Sequence, residues 1–154
     1  MKNIKLFLFL MWIPCFHFSQ IKTSSFFDFE KLFEEQKKPF IVHVYTDWCS
    51  ICKIESFELN KNKDVVELLN THFYLIDFEA EKTKESIRFQ GRKFRYLSNG
   101  NSGIHELALA LSKNNQPIYP LWIFFDENDQ LIKYHEGFMS SKILNSILES
   151  MVSK

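Results

Sequence analysis

Two cysteines, Cys49 and Cys52, stand one helical turn apart directly after an apolar run that ends at Val44. Residues 40–44 are β-branched and aromatic, which predicts a strand. A helix that begins at Cys49 would aim unpaired backbone N–H groups at its sulfur, and such groups stabilise a thiolate. Cys52 would lie on the same helix face, within reach of Cys49, so the pair can close a short-loop disulfide.

The same spacing also occurs in zinc sites, copper sites and haem attachment sequences. Zinc would need two further Cys or His ligands at suitable spacing, but Cys15 lies in the N-terminal segment and the histidines are scattered. Haem attachment needs a histidine directly after the second cysteine, and Lys53 stands there. We therefore predict no metal and no cofactor. The alternative that stays open is a copper(I) carrier that uses both thiolates, with Met139 as a further ligand.

The segment Trp48-Cys-Ser-Ile-Cys-Lys53, between a predicted strand and a predicted helix, resembles the active site of the thioredoxin superfamily. Tyr119-Pro120, before an apolar run, looks like the X-Pro of that family, whose proline is cis and packs beside the disulfide. Gly137 sits where the family has a glycine before its last helix. The resemblance covers the chain from about residue 25. It is strongest to secreted bacterial thioredoxin-like proteins and to the C-terminal domain of the thiol:disulfide interchange reductase.

The resemblance implies a thioredoxin fold, and thiolate chemistry assigns the roles. Cys49, which we expect to be the more exposed thiol, attacks a substrate disulfide, and Cys52 resolves the mixed disulfide. Trp48 is expected to shield the pair, while Tyr119 and Pro120 shape a groove for a substrate strand. The expected partners are protein disulfides or thiols, and a membrane or soluble thiol that donates electrons.

His43 departs from the family pattern. It stands six residues before the first cysteine, where thioredoxins commonly have a buried acid that helps to deprotonate the resolving thiol. A histidine can transfer a proton near neutral pH, but it can equally be a hydrogen-bonded core residue, and both interpretations stay open. The other histidines have no such placement and are predicted to lack a chemical role: His17, His72, His105 and His135.

The two residues between the cysteines bear on the direction of electron flow. Ser50 and Ile51 include no cation that would stabilise the Cys49 thiolate further. Thiolate stabilisation then rests mainly on the helix N-terminus, which favours a reductant over a strong oxidant.

The first 19 residues predict a secretory signal peptide. Lys2 and Lys5 precede an apolar run over residues 6–16, which is shorter than the roughly 20 residues of a membrane span. We expect cleavage near Ser19 and export of a thioredoxin-like domain, residues 20–154, to the periplasm. An uncleaved anchor, or a lipoprotein modified at Cys15, is a less favoured alternative.

The remaining chain has the size of one domain with a substantial core. The full sequence has 19 basic and 19 acidic residues, whose charges cancel, so composition does not support nucleic acid or an anionic membrane as a partner. The 17 phenylalanines of the full sequence favour a packed interior over disorder. We expect a monomer.

Alternating strand and helix patterns predict an α/β domain with a central mixed sheet flanked by helices. Strands are predicted over residues 40–44, 74–78, 121–125 and 131–135. Helices are predicted over residues 26–36, from Cys49 onward, over 62–73 and 104–113, and after Ser140.

An insertion over about residues 80–103 exceeds what a minimal thioredoxin needs. Apolar and charged residues alternate over residues 87–97 on either side of Gly91. This pattern predicts a hairpin with Phe89, Phe94 and Tyr96 facing inward, followed by a loop over 99–103. The hairpin is either a substrate-docking appendage or, the favoured interpretation, a solvated cover for the sheet edge. Its cations are Arg88, Arg92, Lys93 and Arg95.

Overall fold

The computed structural model describes residues 20–153. The predicted signal peptide lies outside these residues. Within residues 20–153, no helix has the length and apolar character needed to cross a membrane.

The described chain contains five α-helices and eight strands. The helices are α1 (Phe26–Glu35), α2 (Ser50–Lys61), α3 (Lys63–His72), α4 (Glu106–Leu111) and α5 (Ser141–Val152), and a short 3-10 helix spans Lys113–Asn115. The strands are β1 (Phe40–Tyr45), β2 (Tyr74–Glu79), β3 (Ile87–Phe89), β4 (Arg92–Phe94), β5 (Tyr96–Asn99), β6 (Ser102–His105), β7 (Leu121–Phe125) and β8 (Leu131–Glu136). Side-chain oxygens of Ser25, Asn62 and Ser140 cap the N-termini of α1, α3 and α5.

The central sheet has the strand order β2-β1-β7-β8. β1 pairs with β2 in parallel, whereas β7 pairs antiparallel with both β1 and β8. The sheet is therefore mixed, as predicted, and this register places His43 between Asp77 of β2 and Trp122 of β7.

Hydrophobic cores lie on both faces of the sheet, because successive side chains of a strand point to opposite faces. Phe40, Val42 and Val44 of β1 pack into one core with α1 and the insertion. Ile41 packs into the other core with residues of α2, α3 and α5. His43 is two residues from Ile41 on β1, so both side chains point to the face of the sheet that packs against α2.

The insertion folds as two short hairpins rather than one. β3 and β4 form the first, and they bury Ile87, Phe89 and Phe94 in the core, as predicted for the two phenylalanines. Tyr96 is only half-buried because it belongs to the second hairpin, β5–β6, so its predicted inward position is wrong.

The second hairpin also corrects two predicted boundaries. Residues 99–103 are not an open loop, since Asn99 pairs with Ser102 across a turn in which Gly100 has a φ of 61°. The predicted helix over 104–113 shortens to α4 because Ile104 and His105 are in β6. His105 ends that strand, and its Nδ1 accepts from Leu107 N at 3.1 Å, which caps α4.

The β3–β4 hairpin lies away from the cysteines. Gln90 at its tip donates to Asp129, in the turn between β7 and β8, and Phe125 at that end of β7 pairs with Phe40 at the start of β1. The cysteines follow the opposite end of β1. Its apolar side chains pack on one face of the sheet, where Phe89 contacts Phe40 and Phe125 of the two central strands, rather than along the sheet edge.

Candidate active site

The cysteine pair forms a disulfide at the N-terminus of α2. Cys49 is the N-cap residue, and Cys52 N donates to Cys49 Sγ at 3.2 Å. The helix therefore directs a backbone N–H at Cys49 Sγ, the arrangement that favours a thiolate there.

The two cysteines hardly differ in exposure, contrary to the expectation that Cys49 is the more accessible. Cys49 is 4% exposed and Cys52 is 3% exposed. They differ in the cavity that each one lines: Cys49 lines a groove of 450 Å³, whereas Cys52 lines a cavity of 640 Å³. The larger space lies toward His43, Glu55 and Asp77.

Trp48 and Tyr119 form facing walls of the groove at Cys49. Their rings meet edge to face with centroids 6.0 Å apart, and Ile51, Ile104 and Pro117 complete the apolar lining. Trp48 is 66% exposed, so it borders the disulfide on the solvent side.

Pro120 is buried and is not among the described residues that line this groove. The Tyr119-Pro120 peptide bond is cis, and Pro120 O accepts from Gly137 N at 2.8 Å. This contact joins the loop before β7 to the loop before α5.

Glu79 fixes the rim of the groove. One of its carboxylate oxygens accepts from Asp47 N at 3.0 Å, and the other accepts from Glu81 N at 2.9 Å and from Lys82 N. A single carboxylate thus ties the turn after β2 to the loop before Cys49. That turn presents Glu81, whose Oε2 accepts from Trp48 Nε1 at 2.9 Å.

His43 lies between two carboxylates on the other side of the disulfide. Its Nδ1 is 2.6 Å from Asp77 Oδ1, and its Nε2 is 3.4 Å from Glu55 Oε2. The second distance is that of an ion pair without hydrogen-bond alignment, since Nε2 has no hydrogen-bond partner within residues 20–153. The His43 ring also packs on Trp122, with centroids 4.2 Å apart.

The surroundings of His43 favour its charged form. Burial alone would lower the pKa of His43, but the hydrogen bond to Asp77 and the interaction with Glu55 outweigh burial and raise it to about 9. His43 is therefore an imidazolium at neutral pH, and it faces the two acids as a cation.

Glu55 is a site residue that the sequence-based prediction missed. Its side chain is fully buried, and it accepts from Trp122 Nε1 at 3.1 Å and from Met139 N at 2.6 Å. The available signal was spacing: Cys52, Glu55 and Leu59 recur every three or four residues, so they share the buried face of α2. A carboxylate on that face needs polar partners, and β7 and the loop before α5 supply them.

Met139, the candidate extra copper ligand, is fully buried in the α2-side core with Ile41 and Trp122. Within the described part of the chain, no group of three or more His, Cys, Asp or Glu side chains is arranged to hold a metal ion.

A buried cysteine pair at the start of a helix, on a four-stranded mixed sheet flanked by helices, defines the class of thioredoxin-fold thiol:disulfide oxidoreductases. The thioredoxin-like domain family matches residues 27–151, and the chain belongs to this family. No curated protein matches the chain.

Solved structures share the fold at low sequence identity. A DsbH oxidoreductase is 13% identical with a TM-score of 0.57, over 99% of this chain and 94% of that one. A disulphide isomerase from Xylella fastidiosa Temecula1 is 15% identical with a TM-score of 0.53, over 86% of this chain and 93% of that one. The reduced C-terminal domain of DsbD from Neisseria meningitidis is 15% identical with a TM-score of 0.50, over 79% of this chain and 89% of that one.

Proposed function

We propose that this protein is an exported thiol:disulfide oxidoreductase that reduces disulfides of other proteins. The observation that carries the proposal is the placement of Cys49 as the N-cap of α2, with Cys52 N 3.2 Å from its sulfur. Family membership supports the same chemistry. The apolar groove at Cys49 supports a polypeptide substrate, because it offers aromatic and aliphatic walls beside the reactive sulfur.

The proposed reaction moves two electrons in two exchange steps. The Cys49 thiolate attacks one sulfur of the substrate disulfide, which forms a mixed disulfide and releases the first substrate thiolate. The Cys52 thiolate then attacks Cys49 Sγ, which releases the second substrate thiolate and leaves the Cys49–Cys52 disulfide. Each released thiolate takes up a proton, and a thiol electron donor reopens the protein disulfide.

Cys52 must lose a proton before the second step, and Glu55 is the proposed acceptor. Glu55 and Cys52 lie on the same face of α2 and line the same cavity. His43, already protonated at neutral pH, is not the base in this scheme. It acts as a positioning residue whose charge holds the Glu55 and Asp77 carboxylates. The cavity extends to Asp77, which is partly exposed and offers the proton a way to solvent.

Reduction of insulin by residues 20–154, with dithiothreitol as the electron source, tests this function. Cys49→Ala should abolish turnover, and Cys52→Ser should accumulate a mixed disulfide that mass spectrometry detects. Ser50→Ala is the matched control, because it leaves both sulfurs in place, and it should retain turnover. Wild-type turnover by Cys49→Ala would overturn the proposal.

Export is part of the proposal and rests on the lysines and apolar run of the first 19 residues. The full chain, expressed in a Gram-negative host, should appear in the periplasmic fraction with its N-terminus near residue 20. Retention in the cytoplasm at full length would contradict export. No contact in the described residues favours the copper(I) alternative, since Met139 packs in the core.

A further inference from the structure

Among the described residues, eight line the groove beside Cys49, and Glu81 carries the charge among them. The other seven are neutral, so Glu81 is the charged group that a substrate meets inside the groove itself. Glu81 is half-buried, which weakens solvent screening relative to a fully exposed acid.

Glu81 is held in place without being neutralised. Trp48 Nε1 donates to Oε2, and Glu79 fixes the turn through three backbone N–H groups. Within residues 20–153, no lysine, arginine or histidine forms an ion pair with Glu81. The neighbouring Lys82 pairs with Asp47 instead. Among residues 20–153, the hydrogen bond from Trp48 engages Oε2 alone, so Oε1 can accept from a substrate.

Tyr119, across the groove from Trp48, offers a second polar group to a substrate, its side-chain hydroxyl. Its hydroxyl oxygen is buried and has no hydrogen-bond partner in the described part of the chain. Leaving such a group unpaired is costly, so a bound partner that pairs with it gains affinity. Burial raises the pKa of Tyr119, and the Glu81 and Glu79 carboxylates raise it further, so the hydroxyl stays a donor at neutral pH.

We propose that Glu81 is a specificity-determining residue that selects protein substrates with a lysine or arginine within two residues of the reactive cysteine. The inference rests on the proposed oxidoreductase function and names the substrate class for it. Glu81 contacts Trp48, the residue directly before Cys49, so a cationic side chain flanking the substrate cysteine can reach the carboxylate. The Tyr119 hydroxyl would donate to a polar acceptor of the same peptide, independently of charge.

The test uses nine-residue peptides with one cysteine, capped as a disulfide with 2-mercaptoethanol, and with Lys, Gln or Glu on both sides of the cysteine. The measured quantity is kcat/KM for uncapping by residues 20–154, with dithiothreitol as donor. Uncapping by dithiothreitol alone corrects for the effect of each flanking residue on the cysteine itself.

The ratio of kcat/KM for the Lys peptide to kcat/KM for the Glu peptide should be about fivefold larger in wild type than in Glu81→Gln. This is the effect expected of one partly screened charge pair. Glutamine keeps an acceptor for Trp48 Nε1, so this variant removes the charge alone. Glu81→Lys should invert the preference. Glu67→Gln, an exposed position on α3 with the same charge change, should match wild type. Tyr119→Phe should lower kcat/KM for all three peptides without changing their ratio.

The same Lys-to-Glu ratio in wild type and Glu81→Gln would overturn the inference while the oxidoreductase function stands. No uncapping of any peptide above the dithiothreitol rate would overturn the proposed function, and the inference with it.

Discussion

His43 Nδ1 lies 2.6 Å from Asp77 Oδ1, across the parallel pair of strands β1 and β2. The two residues are directly opposite in register, so the contact is built into the sheet. A buried imidazolium thus reaches the protein surface through a partly exposed carboxylate. This pair gives the folded state a dependence on pH that can be measured.

The first prediction is a loss of stability at alkaline pH. The folded protein keeps the His43 proton up to a pKa of about 9, whereas the unfolded chain releases it near 6.5. The folded state therefore binds more protons in this window, and the free energy of unfolding should fall by roughly 1–3 kcal/mol as pH rises through it. Urea unfolding of the oxidised protein at several pH values measures this, since its cysteines do not titrate.

Asp77→Asn isolates the cause of that loss. Asparagine can still accept from Nδ1 but carries no charge, so the pKa of His43 should move down and the alkaline loss should shrink. Titratable groups facing His43 also include Glu55 of α2 and Tyr45 of β1, and neither changes in this variant. Asp64→Asn, an exposed acid on α3, is the charge-matched control. An unchanged pH slope in Asp77→Asn would contradict the account.

The second prediction concerns Glu55→Gln. If Glu55 accepts the proton of Cys52, the variant should slow resolution of the mixed disulfide by about tenfold or more and leave its formation nearly unchanged. Stopped-flow fluorescence of Trp48 separates the two steps. Equal slowing of both steps would make Glu55 a purely structural residue.

Glu55→Gln should also cost roughly 1–3 kcal/mol of stability, because an amide cannot serve Trp122 Nε1 and Met139 N as two carboxylate oxygens do. Rates should therefore be compared well below the unfolding transition. Glu67→Gln provides the charge-matched control here as well, since that side chain is exposed on α3.

The third prediction concerns Gly103 in the groove-forming hairpin. A Cβ at Gly103 would lie 2.3 Å from Leu97 O and 2.6 Å from the Tyr96 ring, so Gly103→Ala should displace β5 from β6. We expect a loss of roughly 1–3 kcal/mol. Because the neighbouring Ile104 lines the groove, peptide turnover should fall more than exchange with dithiothreitol.

Asn101→Ala, in the exposed turn of the same hairpin, is the control and should change stability by less than about 0.5 kcal/mol. Thermal unfolding of both variants measures the difference. Wild-type stability in Gly103→Ala would show that the hairpin accommodates a methyl group at this position.

The fourth prediction is the direction of electron flow. With Ser50 and Ile51 between the cysteines, the reduction potential should lie near the value of about −270 mV that thioredoxin has. Ile51→His would add a cation beside the Cys49 thiolate and should make the potential less negative. Redox titration against dithiothreitol measures both, with Ile51→Leu as the neutral control. A wild-type potential near −120 mV would reverse the assignment to an oxidant.

The order of the main strands and helices was available from the sequence. Apolar runs of β-branched and aromatic residues marked β1, β2 and β7, and cysteine spacing marked the start of α2. These features are local, since strand and helix periods and caps act over a few residues. The predicted element boundaries were wrong at residues 99–105. Gly100 there adopts the positive φ of the hairpin turn, and Gly103 leaves room for the Tyr96 ring to pack against the backbone.

The partners of His43 depended on the tertiary structure. Its position before the cysteines was visible in the sequence, but Glu55 reaches it from α2 and Asp77 from β2, 34 residues away along the chain. Only the register of β1 with β2 and the packing of α2 on the sheet bring these three charges together. A buried charge without a partner is destabilising, so the folded structure is the one in which these charges are paired. The same packing turned Glu55, one acid among 19 acidic residues in the sequence, into the buried group next to Cys52.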